Sequence, residues 1–170
     1  METTNVQSAP KFKITGDVVF KGLMHFFRLM LGAWMVINGF NHWVPIFPQP
    51  FGGSPLSAQL IVTLYESGLF DVVKAAEIVG GILLIVNRFV PVGVVMLLPI
   101  SAVVYFNATV LQGGWFRLYM GTGCFYFNVF LLFGYFKHYL PMLKADAEVG
   151  TLEDLKEIKG VLQSIIPVKK

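Results

Sequence analysis

Four stretches of the chain are almost continuously apolar, at roughly 24–43, 69–87, 89–111 and 116–137. Each is close to the ~20 residues that a helix needs to cross the hydrocarbon core of a bilayer. Periodicity does not separate helix from strand in runs so uniformly apolar, but their length does. The alternating in-out pattern of an outer-membrane barrel is absent. The pattern predicts an all-α membrane protein, a four-transmembrane-helix antiparallel bundle.

The polar connections refine this layout. Asn87-Arg88 leaves room only for a tight antiparallel turn, so the second and third spans should be neighbours. The connection after the first span opens with PIFPQPFGGSP, whose prolines and glycines exclude a regular helix. LSAQLIVTLYESG follows, with Leu56, Leu60, Ile61 and Leu64 on one helical face. It reads as a short helix lying on or dipping into the outer leaflet, the alternative being a surface loop with accidental spacing. Beyond the fourth span, Thr151 with Asp154 resembles a helix N-cap, and Leu152, Leu155, Ile158, Leu162 and Ile165 form an apolar stripe beside Glu153, Lys156 and Lys159. That amphipathic helix suits the inner membrane surface or a partner protein equally. The chain divides into a polar N-terminal segment (1–22), a transmembrane domain (23–138) and a tail with an amphipathic helix (139–170).

Composition agrees with a membrane protein. The chain is 55% hydrophobic and 14% charged, with a mean hydropathy of +0.67, whereas a soluble domain is about a quarter charged. This disfavours a soluble enzyme, a disordered regulator and a nucleic-acid binder. The single cysteine, Cys124, excludes an internal disulfide, a cysteine-based zinc site and a cysteine-ligated iron–sulfur cluster; no metal site is expected. The N-terminal segment is polar for ten residues and does not read as a cleavable signal.

The net charge of +3 matters through its placement. Lys11, Lys13, Lys21 and Arg28 precede or open the first span, and Arg88 lies between the second and third. Lys137, Lys144, Lys156, Lys159, Lys169 and Lys170 follow the fourth. The 44–68 loop has no Lys or Arg, and the loop before the fourth span offers only Arg117. The positive-inside rule then puts both termini and the Arg88 turn in the cytoplasm of a cell whose cytoplasmic (inner) membrane holds the chain.

With that orientation, the polar residues inside the spans fall in the outer half. Asn38, Asn41 and His42 lie near the outer end of the first span, Asp71, Lys74 and Glu77 in the outer half of the second, and Asn107 near the outer end of the third. Polar side chains in hydrocarbon are costly and are functional candidates for that reason. Arg28 can snorkel to the inner interface. Asp71, Lys74 and Glu77 form an acid–base–acid ladder at i,i+3 steps, with a surplus negative charge. Either Glu77 holds a proton or a donor from another helix meets it, the candidates being His42, Asn38 and Asn107. Gly81, one turn beyond Glu77, would admit a neighbouring helix closely. The cluster is consistent with helix-to-helix glue and with a ligand or proton pocket, and Glu77, the deepest, is hardest to explain as glue.

Other chemistry finds less support. His25 and His138 both fall near the inner boundary, but interfacial histidines are a simpler reading than haem ligation. Trp34, Phe40, Trp43, Trp115, Tyr135 and Tyr139 suit an aromatic belt better than a quinone pocket. There is no phosphate-binding glycine loop and no Gly-x-Ser-x-Gly elbow, and Gly121 and Gly123 read as helix-packing positions.

Two blocks carry a family resemblance. GAWMVINGFNHWVPIFPQP (32–50) and VKAAEIVGGILLIVNRFVPVGVVMLLPI (73–100), in this order, resemble DoxX-family membrane proteins over roughly residues 26–137. The resemblance implies a four-helix membrane bundle and places Asn38, Asn41, His42, Lys74 and Glu77 in the recurring motifs. The family name is tied to a subunit of an archaeal thiosulfate:quinone oxidoreductase, and eukaryotic members of the superfamily are linked to cargo transport, sterol handling or receptor assembly. Relatives carry a His near the end of the third span where this chain has Asn107, which puts any proton relay through that position in doubt.

The first expectation is an accessory or scaffold subunit of a membrane complex, contacting the bilayer and other membrane subunits, with a polar pocket for a lipid-like or quinone-like ligand. The alternative is a membrane subunit of a quinone-linked oxidoreductase in which Glu77 and His42 handle protons. A small-molecule carrier ranks last, because no repeat or broken-helix pair is visible.

Overall fold

The computed structural model describes residues 16–48, 53–112, 115–145 and tail positions 153, 154, 156, 157, 160 and 161, with the side chains of 115–121 outside the description. The described residues are helical, with no strand among them. Helix α1 spans Gly16–Trp43, α2 Pro55–Glu66, α3 Leu69–Ile85, α4 Val90–Phe106 and α5 Trp115–Gly134. A π-helical turn, Asn107–Gln112, extends α4, and short 3-10 turns follow α5 at Phe136–His138 and Leu140–Leu143. Two helices are long and apolar enough to cross a membrane, Gly16–Trp43 and Val90–Gln112.

Local chemistry accounts for the boundaries. α1 is already helical at Gly16, ahead of Met24, and Val18, Val19, Phe20 and Leu23 continue its apolar pattern. The boundary expected at residue 22 therefore falls inside a helix. α2 is a helix and not a loop: Ser54 caps it by accepting the Ser57 N–H at 3.2 Å, and Pro55 occupies the first turn. Of its expected apolar face, Leu60, Ile61 and Leu64 are half-buried while Leu56 is exposed. The α3–α4 link is as tight as its length implies, with Asn87 (φ 57) and Phe89 (φ 54) both in the left-handed region.

The first compact unit, ending at His138, holds all five α-helices. α1 packs on α3 and α5, and α4 packs on the same two helices. α1 and α3 run antiparallel, since Gly32 and Gly39 of α1 meet Gly81 and Lys74 of α3 in reverse order. Glycine sets the α1–α3 separation. A Cβ on Gly32 would stand 2.9 Å from the Gly81 carbonyl oxygen, and one on Gly81 2.7 Å from that of Gly32. The close approach anticipated at Gly81 is present. Gly123 differs from its expected packing role, since its Cβ position meets nothing within 4 Å; it faces away from the neighbouring helices. Gly121 lies outside the described side chains.

Leu31, Leu84, Val94, Leu97 and Leu131 form the fully buried centre, and Phe27 closes α1 on α5 against Phe127 (4.7 Å) and Phe130 (5.0 Å). The outward faces of the helices carry large apolar side chains, among them Phe26, Met30, Ile37, Val72, Val79, Val95 and Phe133.

The second unit, Tyr139–Lys170, is described only in part. Leu140, Met142 and Leu143 are exposed, residues 156–157 and 160–161 are helical, and Lys156 meets Glu153 at 3.6 Å on the surface. Thr151, Lys159 and the apolar stripe Leu152, Leu155, Ile158, Leu162 and Ile165 lie outside the described residues, as do Lys11, Lys13, Lys169, Lys170 and the side chains of Trp115 and Arg117.

Candidate functional site

The end of the cluster that carries Trp43, Leu69 and Asn107 holds the polar candidates, and the fold sorts them into two sets. In the first, four side chains come together between α1 and α3. Lys74 donates to both oxygens of Glu77, at 3.1 and 2.9 Å, and both residues are buried. His42 Nε2 meets Asp71 Oδ1 at 2.6 Å. The acid–base–acid ladder on α3 is thus divided: its central lysine serves the deeper carboxylate, and α1 supplies the partner for the outer one. Among the candidates for a donor from another helix, His42 takes that role, but toward Asp71 and not Glu77.

Aromatic rings bind the two pairs into one site. The His42 ring lies edge-on to Trp43 (4.9 Å), Phe70 (5.2 Å) and Tyr65 (5.6 Å). Phe70 also lies under the Lys74 ammonium at 5.1 Å, a cation–π contact that strengthens where water is excluded. Trp43 and Trp34, expected as belt residues, therefore have inward roles as well. The buried Cys124 of α5 lies near Trp34, Glu77 and Lys74. The His42 side chain is 7% exposed and that of Asp71 60% exposed, so a buried imidazole is joined to water through a carboxylate. Such a dyad can move a proton between solvent and interior, while the Lys74–Glu77 pair supplies donors and acceptors without net charge.

The other three candidates do different work. Asn38 turns back on its own helix and donates to the Trp34 carbonyl at 2.8 Å. Asn107 accepts from the fully buried Ser57 hydroxyl at 2.8 Å, which fastens α2 to the π turn. Asn41 clamps the exit of α1: its Oδ1 accepts from the Ile46 and Phe47 amides at 2.6 and 2.8 Å, and its Nδ2 donates to the Phe47 carbonyl at 3.0 Å. Pro45 and Pro48 deny this segment a regular backbone ladder, so a buried side-chain amide takes its place. Asn41→Ala should cost about 1–3 kcal/mol of stability, read as a lower unfolding midpoint in mixed detergent–SDS micelles, with faster proteolysis after Trp43. An unchanged midpoint would show the clamp to be dispensable.

Asn128 and Arg28 are among the buried polar residues that spacing alone did not place. Asn128 is fully buried on α5, and with its amide oriented by its partners it donates to the Val94 carbonyl (3.1 Å) and accepts from the Leu98 amide (3.2 Å). It reinforces α4 beside Pro99, which has no N–H to give the helix. A lone Asn in the apolar run FYFNVF was signal enough to find it. The second is Arg28, which does not snorkel. It is 6% exposed, because it shares a face of α1 with Met24, Leu31, Gly32 and Met35, all drawn into the core. His25 and His138 are exposed at that same end, and His138 lies against Tyr135. Among the described residues no group of three His, Cys, Asp or Glu side chains is placed to hold a metal ion.

Comparison with known proteins adds no relative: no family model, no curated protein and no solved structure matches the chain.

Proposed function

We propose that the chain is a DoxX-like integral protein of the cytoplasmic membrane, crossing it four times through α1, α3, α4 and α5, with α2 along the outer leaflet and both termini inside. It serves as an accessory or scaffold subunit whose cluster of His42, Asp71, Lys74 and Glu77 receives the headgroup of a lipid-like or quinone-like ligand. One observation carries this reading: the cluster's outward faces are apolar while three of its charged side chains, Arg28, Lys74 and Glu77, are buried, the inverse of a water-soluble bundle. The distribution of Lys and Arg supports the orientation, and the DoxX-like blocks contain three of the four clustered residues.

The ligand reading rests on the combination of rings and polar groups. Trp43, Tyr65 and Phe70 offer flat apolar walls, and His42 and Lys74 offer donors, which suits a flat or amphiphilic headgroup bearing oxygen acceptors. Organic extracts of the protein purified in mild detergent should contain an amphiphile in near-stoichiometric amount, and His42→Phe should lose most of it while remaining folded. Identical extracts from both proteins would remove the ligand reading. Recovery of a stoichiometric partner in the same preparation is expected of a scaffold subunit, and a lone homogeneous species would count against that role.

The contact of buried His42 with exposed Asp71 favours a second reading, a quinone-linked oxidoreductase subunit. Here His42 and Asp71 exchange protons with the outer aqueous phase, Glu77 holds the site's inner charge, and a partner subunit supplies the electrons. Glu77→Gln in the assembled complex should abolish quinone-dependent turnover with the protein still inserted; undiminished turnover would eliminate this reading.

A further inference from the structure

Arg28 presents a problem that the His42–Glu77 cluster does not solve. Its Nε and Nη1 are buried and meet no hydrogen-bond acceptor among the described residues. A guanidinium is always charged and has five N–H bonds to place, and a buried charge without a partner is among the most destabilising features a helix bundle can carry. The described carboxylates of the first unit are no help. Glu66, Asp71 and Glu77 belong to the opposite end of the cluster, and Asp17 stands exposed on α1, about 16 Å along the axis at the ordinary helical rise.

The surroundings at this end are cationic. Lys21, Arg88 and Lys137 are all exposed there. Lys21 precedes Arg28 by two turns on the same face of α1, about 10 Å nearer the end of the helix. Between them lies Met24, whose thioether occupies the niche left by Gly134 of α5: a Cβ on Gly134 would fall on Met24 Cε and Sδ. Methionine is the side chain best able to change rotamer and uncover what it packs over. Long helical side chains also lean toward the N-terminus, which directs the Arg28 stem toward Met24.

We infer that Arg28 is the inner-leaflet site for the phosphate of an anionic phospholipid, which enters beside Met24 and Gly134 with Lys21 at its rim. The guanidinium offers phosphate two parallel N–H donors, and in the four-span reading Arg28 lies about one turn inside the inner end of the first span. The site is separate from the His42–Glu77 cluster and rests on the four-span reading alone.

The test compares full-length wild type with Arg28→Met in vesicles of phosphatidylcholine, with and without phosphatidylglycerol. Carbonate extraction is done first. Release of the chain by carbonate would bring down the four-span reading and this site with it; every later outcome bears on the site alone. Phosphatidylglycerol should raise the wild-type Tm by about 5 °C and should not raise that of Arg28→Met, which in pure phosphatidylcholine should be at least as stable as wild type because no charge remains buried. Equal responses of the two proteins, or no response in wild type, would overturn the inference. An equal wild-type shift with inorganic phosphate in phosphatidylcholine vesicles would reassign the site to a soluble anion and overturn the lipid. If Arg28→Met does not fold, Arg28→Lys replaces it: its point charge should keep less than half of the phosphatidylglycerol shift, and a full shift would overturn the inference.

Discussion

Lys74→Met is expected to lower the stability of the protein by about 3–5 kcal/mol, the usual consequence of removing one partner from a buried ion pair. The loss should be large because both oxygens of Glu77 depend on the Lys74 ammonium, at 3.1 and 2.9 Å. It also removes the cation from over the Phe70 ring, so the wall of the site should loosen toward His42. Glu77→Leu should be costly for the complementary reason, a buried ammonium without its carboxylate. The double variant Lys74→Met/Glu77→Leu should recover most of the loss, since neither charge is then left alone. Unfolding by SDS in mixed micelles measures all four corners of this cycle. Additive losses would mean that the pair is solvated in the membrane and that its shielding from lipid and water has been overestimated.

Gly81→Leu should be at least as damaging, about 3 kcal/mol or more. Replacing glycine within a helix normally gains up to about 1 kcal/mol in helix propensity, so the sign depends on space. At Gly81 the atoms to be displaced include the Gly32 carbonyl oxygen at 2.7 Å and the Val36 amide nitrogen at 3.0 Å. These are backbone, and they can yield only if α1 and α3 separate. Separation would also stretch the 2.6 Å contact of His42 with Asp71, so ligand or proton chemistry at the other end should fall with stability. Gly123→Ala is the control: with nothing within 4 Å of its Cβ, it should be neutral or stabilising by about 0.5–1 kcal/mol. A Gly81→Leu protein with wild-type stability would show that the glycine contact does not set the helix spacing.

Much of the site was legible before the fold was known, and its gaps have identifiable causes. Asp71, Lys74 and Glu77 lie at i,i+3 steps on one helix, so their grouping follows from helical geometry. Their pairing does not. Lys74 is equally spaced from both acids, and the choice of Glu77 follows from where α1 brings His42. Asn38 and Asn41 are three residues apart, yet one bonds its own helix and the other clamps the next loop, because Pro45 and Pro48 leave amides beyond Trp43 that need an acceptor. For Arg28, length of side chain suggested escape to the interface, but its position in the Met24–Leu31–Met35 stripe decided its burial.

The apolar runs, their lengths and the glycines and prolines between them determined by themselves that this chain is helical and roughly where each helix lies, because those properties depend on local backbone geometry and on the apolar character of each segment. The tertiary structure decided which charges meet, which asparagines serve loops, and that a guanidinium is enclosed with no carboxylate beside it among the described residues. These outcomes depend on distances between helices, and those distances are set by small contacts such as Gly32 on Gly81, whose partner no local pattern can name.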